Sequence, residues 1–228
     1  MGARRRRAKR DRYRTVAPIA ADNLQEVMTK HRSPDERATQ ILDAARVCFM
    51  QRGYFATRME QIAKESGLSK GGIYFHFGSK RDIFRSLVER EYQKDMDFID
   101  SVLDVEKDIL SILSGIGEHF MQAFASTDTP RFTAIIVEMA IRDEEIREML
   151  EELQNNYITR MADVLERAMD EGQLRKVDPI ATATLLKAII DGVQASMAVG
   201  GDPPDLEGLL GVALQLLTQG LLTEDALA

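Results

Sequence analysis

Residues 68–80 read LSKGGIYFHFGSK. The stretch gathers hydrogen-bond donors: the ammonium groups of Lys70 and Lys80, the Tyr74 hydroxyl and the His76 imidazole, with Gly71 and Gly72 side by side among them. All of these donors suit a phosphate oxygen. The two glycines are poor helix formers, costing up to about 1 kcal/mol each against alanine. In return they leave no side chain to hold the backbone away from a partner. Three chemistries compete for such a pattern: a loop cradling nucleotide phosphates, a knot of apolar core, and a surface that meets a polyanion. The nucleotide loop lacks both the Walker spacing and a preceding strand. Other chemistries find little support elsewhere in the chain. His31, His76 and His119 stand at no metal-ligand spacing from one another, and Cys48 is the single cysteine, so no metal site and no intrachain disulfide are expected. No nucleophile elbow is present, and carboxylates fall on charged faces such as Glu144-Glu145 and Glu151-Glu152. The reading is therefore of a protein that is not an enzyme and needs no cofactor.

Donors need elements to hold them. Ser33-Pro34-Asp35-Glu36 has the form of a capping box with proline at the first helical position. A helix follows with Ile41, Ala44, Ala45, Cys48 and Phe49 on one side, and Gly53 ends it. Thr57-Arg58-Met59-Glu60 reads as a second capping box, with Thr57 as the cap of a helix over about 58–66 that buries Met59, Ile62 and Ala63. Gly67 stops that helix. Ser69 caps a very short third helix over about 70–76, Gly78 ends it, and Ser79 caps a fourth with Asp82 at its third position. Three short helices at this rhythm form a helix-turn-helix unit. The same rhythm turns Ile73 and Phe77 inward and Tyr74 and His76 outward. Phe75 stays open between packing and contact.

The fourth helix is long, about 79–103, with Ile83, Phe84, Leu87, Val88, Met96, Ile99 and Leu103 at helical spacing. Further helices are expected at about 106–126, 129–141, 143–171, 178–199 and 205–221, several opened by proline (Thr129-Pro130, Asp178-Pro179, Asp202-Pro203-Pro204-Asp205). No stretch alternates as a strand. The chain reads as all-α: an arm over 1–32, a helix-turn-helix domain over 33–80, and a larger C-terminal helical bundle over 81–228. The net charge of −7 conceals an asymmetry: residues 1–90 hold 20 basic and 10 acidic side chains, and residues 91–228 hold 10 and 27. Most of the N-terminal excess belongs to the arm, which begins Arg4-Arg5-Arg6-Arg7 and carries a faint helical signal at Asn23–Lys30. This arm either enters a minor groove or serves as a non-specific tail. No apolar run reaches the ~18 residues that cross a bilayer, and no apolar segment follows the basic start as in a secretory signal. With one cysteine, a cytoplasmic protein with no membrane partner is expected.

Ile41 to Leu87 resembles the DNA-binding domain of the TetR family of bacterial transcriptional regulators (AcrR-like). The resemblance rests on Ile41-Leu42-Asp43-Ala44-Ala45, Phe49, Gly53-Tyr54, Ala56-Thr57, Ile62-Ala63, Gly67-Leu68-Ser69-Lys70-Gly71, Ile73-Tyr74, His76-Phe77 and Ser79-Lys80. It implies that the short helix enters the major groove of a double-stranded DNA operator. The DNA-binding set it implies is Thr57, Arg58, Ser69, Lys70, Gly71, Gly72, Tyr74, His76 and Lys80. Gly72 stands where threonine is frequent in the family and Arg58 where a small hydroxyl residue is common, and both bear on which operator is read.

The resemblance also implies a C-terminal ligand cavity and a homodimer. Phe120, Met121, Phe124, Phe132, Met139, Tyr157 and Met161 are the candidate cavity lining, with plain core as the alternative for each. His119, Glu138 and Arg142 are candidate polar handles, and the Met and Phe content points to an apolar or amphipathic effector. The last two helices are apolar over much of their surface. Leu186, Ile189, Val193, Leu210, Ala213 and Leu217 are candidate dimer residues, with Gly192, Ala195 and Ser196 permitting close approach. The implied function is a dimeric, ligand-responsive repressor that binds a palindromic operator and is released by a small-molecule effector.

Overall fold

The computed structural model of the chain describes residues 33–105, 108–125, 128–199 and 205–221. The arginine-rich arm, the Asn23–Lys30 segment and Asp202-Pro203-Pro204 lie outside them. The described residues form helices: α1 Pro34–Ala56, α2 Met59–Ser66, α3 Lys70–His76, α4 Lys80–Val105, α5 Ile109–Ala125, α6 Asp128–Arg142, α7 Glu144–Asp170, α8 Pro179–Val199 and α9 Leu206–Leu221. No strand occurs among them. The expected all-α architecture is correct, and the expected helices lie within three residues of the observed ones.

Local chemistry explains the boundaries. At Ser33 the capping box is complete: the Glu36 N–H donates to the Ser33 hydroxyl at 3.2 Å, and the Ser33 N–H donates to the Glu36 carboxylate at 2.7 Å. Asp143, Asp178 and Asp205 cap α7, α8 and α9 in the same way, each accepting from the N–H three residues on. Gly53 interrupts α1 with φ 75° and ψ 164°. Its site has open space for a Cβ, so the demand there is conformational, not steric. Gly67 closes α2 in the left-handed region at φ 68°, and the Leu68 N–H returns to the Ala63 carbonyl at 3.1 Å.

One boundary differs from expectation. Arg58, not Thr57, is the N-cap of α2, and the Arg58 N–H donates to the Gln61 side-chain oxygen at 2.8 Å. Thr57 turns inward and is only 1% exposed. Its hydroxyl lies 2.7 Å from the Gly53 carbonyl oxygen and 3.1 Å from that of Cys48. One hydroxyl proton serves one acceptor well, and Gly53 is the nearer. The break at Gly53 strips carbonyls of their helical partners, and Thr57 folds back to satisfy one of them.

Two apolar cores follow. The first joins Ile41, Phe49, Ile62, Ile73, Phe84 and Leu87 with Phe132, Met139, Ile146 and Leu150 of α6 and α7. The helix-turn-helix is thus packed into the bundle and does not hang from it by a linker. The second core holds Ile99, Ile109, Phe124, Met161, Leu165 and Ala183, and draws on α4, α5, α7 and α8. Helix α4 belongs to both. It sends Ile83, Phe84, Leu87 and Val88 into the first and Ile99 into the second, and residues 89–98 include none that is buried.

Candidate nucleic-acid interface and effector cavity

Helix α3 is held by its cap and by one anchor. The Ser69 hydroxyl accepts from the Gly72 N–H at 3.1 Å, which is the expected cap. Ile73 is fully buried, and Leu68 and Phe77 pack partly buried against the same core. With α3 fixed from below, its other side faces outward. Lys70, Gly71, Tyr74 and Phe75 are exposed, and Gly72 and His76 are half-buried. Phe75 is 82% exposed, with its ring edge-on to His76 at 5.2 Å. It does not pack in the core, so the open position resolves outward.

Lys70 is not a bare cation. Its ammonium donates to the Glu60 carboxylate of α2 and stands 5.9 Å from the Tyr74 ring centroid. The pair raises the Lys70 pKa and lowers that of Glu60, chiefly through the shared hydrogen bond. Arg58 is exposed at the start of α2, with its side chain free of any cap role.

Two residues of the expected DNA-binding set turn away from this surface. Thr57 is the first, for the reason given above. Lys80 is the second. Its Nζ donates to the carbonyl oxygens of Tyr54 at 2.7 Å, Thr57 at 2.6 Å and Phe55 at 3.4 Å, and it sits 4.3 Å from the Tyr54 ring centroid. An ammonium has three donors, and all three are engaged. Burial lowers its pKa, while the carbonyl dipoles and the ring face support the charge. Lys80 is a clasp that fastens the start of α4 to the broken end of α1. The sequence could not show this, because the carbonyls it binds lie 23 to 26 positions upstream.

Above this unit lies a cavity of about 950 Å³, lined by residues of α1, α4, α5, α6, α7 and α8. Of the expected lining, Phe120, Phe132 and Tyr157 are present. Phe124, Met139 and Met161 are fully buried core, and Met121 packs half-buried against the second core. These four do not line the cavity, because helical spacing turns them to the interior side of their helices. His119 lines it, whereas Glu138 and Arg142 pair with each other at 3.4 Å away from it. Sequence reasoning missed Tyr92 and Asp95 on α4, Gln154 on α7, and Lys187 and Asp191 on α8. The available signal was the gap between Val88 and Met96 in the apolar repeat of α4, where Tyr92 and Asp95 stand among charged residues.

The electrostatics of the cavity are unusual for a core. The Asp95 carboxylate lies 3.0 Å from His119 Nε2, and the His119 ring stacks on Phe98 at 3.9 Å. Burial raises the Asp95 pKa, and the His119 bond opposes the rise. Burial also pushes the Tyr92 phenol up to about 12 and raises that of Tyr157 further, so both remain neutral donors near neutrality.

The last two helices divide differently from expectation. Leu186 and Val193 pack against the second core. Leu210 closes on Gly117, where a Cβ would stand 2.7 Å from its Cδ1, and Ala213 is half-buried. Ile189 is exposed, as a dimer residue must be in a single chain. The side chain of Leu217 lies outside the described residues. The exposed large apolar residues are Ile180, Leu185, Ile189 and Val199 on α8 and Leu209, Val212 and Leu216 on α9.

A capped helix-turn-helix with an outward row of donors, built into a helical bundle that encloses a mixed-polarity cavity, defines a DNA-binding regulator. Comparison with known proteins names the family. Residues 41–87 match the bacterial regulatory proteins of the tetR family, and residues 111–208 match the C-terminal domain of AefR-like transcriptional repressors. The chain belongs to the TetR family of transcriptional regulators. Among its relatives is the HTH-type regulator YfiR of Bacillus subtilis, 29% identical over 77% of this chain and 87% of that protein. Another is the repressor AcnR of Corynebacterium glutamicum, 25% identical over 78% and 90%. The fold matches FadR of Bacillus subtilis in complex with stearoyl-CoA, with a TM-score of 0.70 at 23% identity over 80% and 98% of the two chains. No helix among the described residues is long and apolar enough to cross a membrane.

Proposed function

We propose that the protein is a dimeric repressor whose two helix-turn-helix units bind a palindromic operator, and whose cavity accepts an apolar or amphipathic effector that releases it. The observation that carries this reading is the double membership of α4. Its first turns pack with α1–α3, and its middle turns, through Tyr92 and Asp95, line the cavity. Arg46 of α1 lines it too. A ligand there touches the helices that position α3, so it can bias two arrangements of the DNA-binding unit without a separate relay.

The exposed stripes of α8 and α9 support the dimer. Leu185 and Ile189 run on into the exposed small residues Gly192 and Ser196, and Leu209, Val212 and Leu216 lie at spacings of three and four. Such stripes are unfavourable in water and suit an isologous interface between two copies. Paired units would then read half-sites about 34–36 Å apart. In this reading, Arg58, Lys70, Tyr74 and His76 contact phosphates, Phe75 contacts a base or sugar, and Ser69, Gly71 and Gly72 permit the close approach. The relatives supply ligand precedents only for themselves: FadR was solved with stearoyl-CoA.

Fluorescence anisotropy of the full chain on its own upstream DNA, across a salt series, tests the reading. Affinity that falls with log[salt] and is lost in Tyr74→Ala and Lys70→Ala, with the fold intact, supports it. Equal binding by parent and variants refutes it.

A further inference from the structure

We propose that the cavity selects an organic cation: a molecule with an apolar body and one positively charged amine head, seated at Asp95 between Tyr92 and Tyr157. The inference rests on the cavity being the effector site and adds the chemistry of the head group.

Charge pairing sets Asp95 apart from the other ionised groups of the cavity. Each lysine or arginine that lines the cavity already has a carboxylate. Lys187 binds both oxygens of Asp191, at 2.8 and 2.7 Å. Arg147 meets Glu144 at 2.9 Å and Glu151 at 3.8 Å, and Lys94 meets Glu91 at 3.0 Å. Arg46 lies 3.9 Å from Asp128, with its guanidinium over the Phe132 ring. Asp95 differs. Its partner is the His119 imidazole, which carries a charge only when protonated. The Asp95 side chain is 40% exposed and lines the cavity, so its open side faces the space a ligand would fill. Burial raises the Asp95 pKa, and the pull of His119 and of Lys94, itself paired with Glu91, opposes the rise.

Aromatic side chains share the cavity wall with that carboxylate: Tyr92, His119 and Tyr157 line it too. Phe98, behind His119, stacks on its ring, and the Tyr157 ring already attracts one cation, the Lys187 ammonium at 5.8 Å from its centroid. A quaternary or protonated amine gains from both the carboxylate and the ring faces, and the apolar remainder of the cavity takes its body. A carboxylate head placed there would meet Asp95 and Asp191 in a poorly screened setting. A neutral head would leave Asp95 uncompensated.

Three probes with one tail separate these cases: dodecyltrimethylammonium, dodecanol and dodecanoate, each titrated calorimetrically into the full chain below its micelle concentration. The expected result is binding of the ammonium about tenfold or more tighter than the alcohol, with dodecanoate weakest. In Asp95→Asn the ammonium and the alcohol should bind within about twofold of each other, with the alcohol unchanged from the parent, and Asp95→Ser should repeat the effect. Dodecanoate binding as well as the ammonium, or an ammonium preference that survives both substitutions, overturns the head-group inference. If the alcohol and dodecanoate bind in that case, the effector cavity itself still stands. Failure of all three probes to bind overturns both.

Discussion

Substituting Lys80 by methionine separates a clasp from a phosphate contact. Methionine keeps much of the side-chain volume and removes the ammonium. The loss is two short charge-assisted bonds, to the Tyr54 carbonyl at 2.7 Å and the Thr57 carbonyl at 2.6 Å, together with the ring contact at 4.3 Å. Hydrogen bonds to charged groups contribute about 1.5–3 kcal/mol each. The gross loss is therefore about 3–6 kcal/mol before two offsets. Water can reach part of this half-buried site, and the buried ammonium no longer has to be desolvated. A net loss of about 2–3 kcal/mol remains after these discounts. For a chain of this size it corresponds to a fall in Tm of about 5–10 °C, measured at fixed protein concentration because the Tm of the proposed dimer would depend on it. Circular dichroism melting of parent, Lys80→Met and Lys80→Arg gives the comparison. Arginine should recover only part of the loss, since a planar fork cannot reproduce the convergence of one ammonium on several carbonyls. DNA affinity of Lys80→Met at a temperature where it is folded should keep the parental salt slope. A Tm within 1 °C of the parent, together with a slope reduced by about one unit, would show that Lys80 neutralises a phosphate and would refute the clasp.

On α3, Phe75→Ala should weaken operator binding about tenfold while leaving the Tm unchanged, because 82% of the side chain is already in water; unchanged affinity would remove Phe75 from the interface. Thr57→Val should cost about 1–2 kcal/mol in urea denaturation by leaving the Gly53 carbonyl without its donor, with DNA affinity kept in the folded fraction. Gly53→Ala should cost about 1 kcal/mol or more from the φ of 75° alone, and a neutral result would mean that the break in α1 can relax. Ile189→Asp should shift sedimentation from dimer to monomer without unfolding the chain, since Ile189 is 47% exposed; a persistent dimer would place the interface elsewhere.

The helices and the helix-turn-helix were legible because their signals are local. Caps at Ser33, Ser69, Asp178 and Asp205 act over three residues, and the glycine stops act over two or three more. The inward and outward division of α3 was legible for the same reason, since Ile73 fixes the rotation of a helix that has only two turns. What failed was long-range. Lys80 looks like any exposed helix-start lysine until the carbonyls freed by Gly53 are brought to it. Thr57 has the composition of a cap, and it took the Gly53 break to give its hydroxyl a better acceptor. The cavity was half legible. Phe120, Phe132 and Tyr157 could be found by type, but type cannot tell a methionine facing a void from one facing a neighbouring helix, as Met139 and Met161 show. Asp95 was invisible, because a polar residue on a long helix reads as solvated until its surroundings are known.

Residues 89–98 carry a consequence for how such a protein changes over generations. That stretch of α4 is at most half-buried, with Tyr92 packed against the first core and Met96 against the second, while both ends of the helix are locked into those cores. If the proposed effector reading holds, substitutions at the cavity-lining Glu91, Lys94 and Asp95 would alter what the cavity recognises at little cost to folding, and the anchored ends would continue to report occupancy to α1–α3. Recognition and transmission are thus written in different residues of one helix. A lineage can exchange its chemical signal while retaining its output.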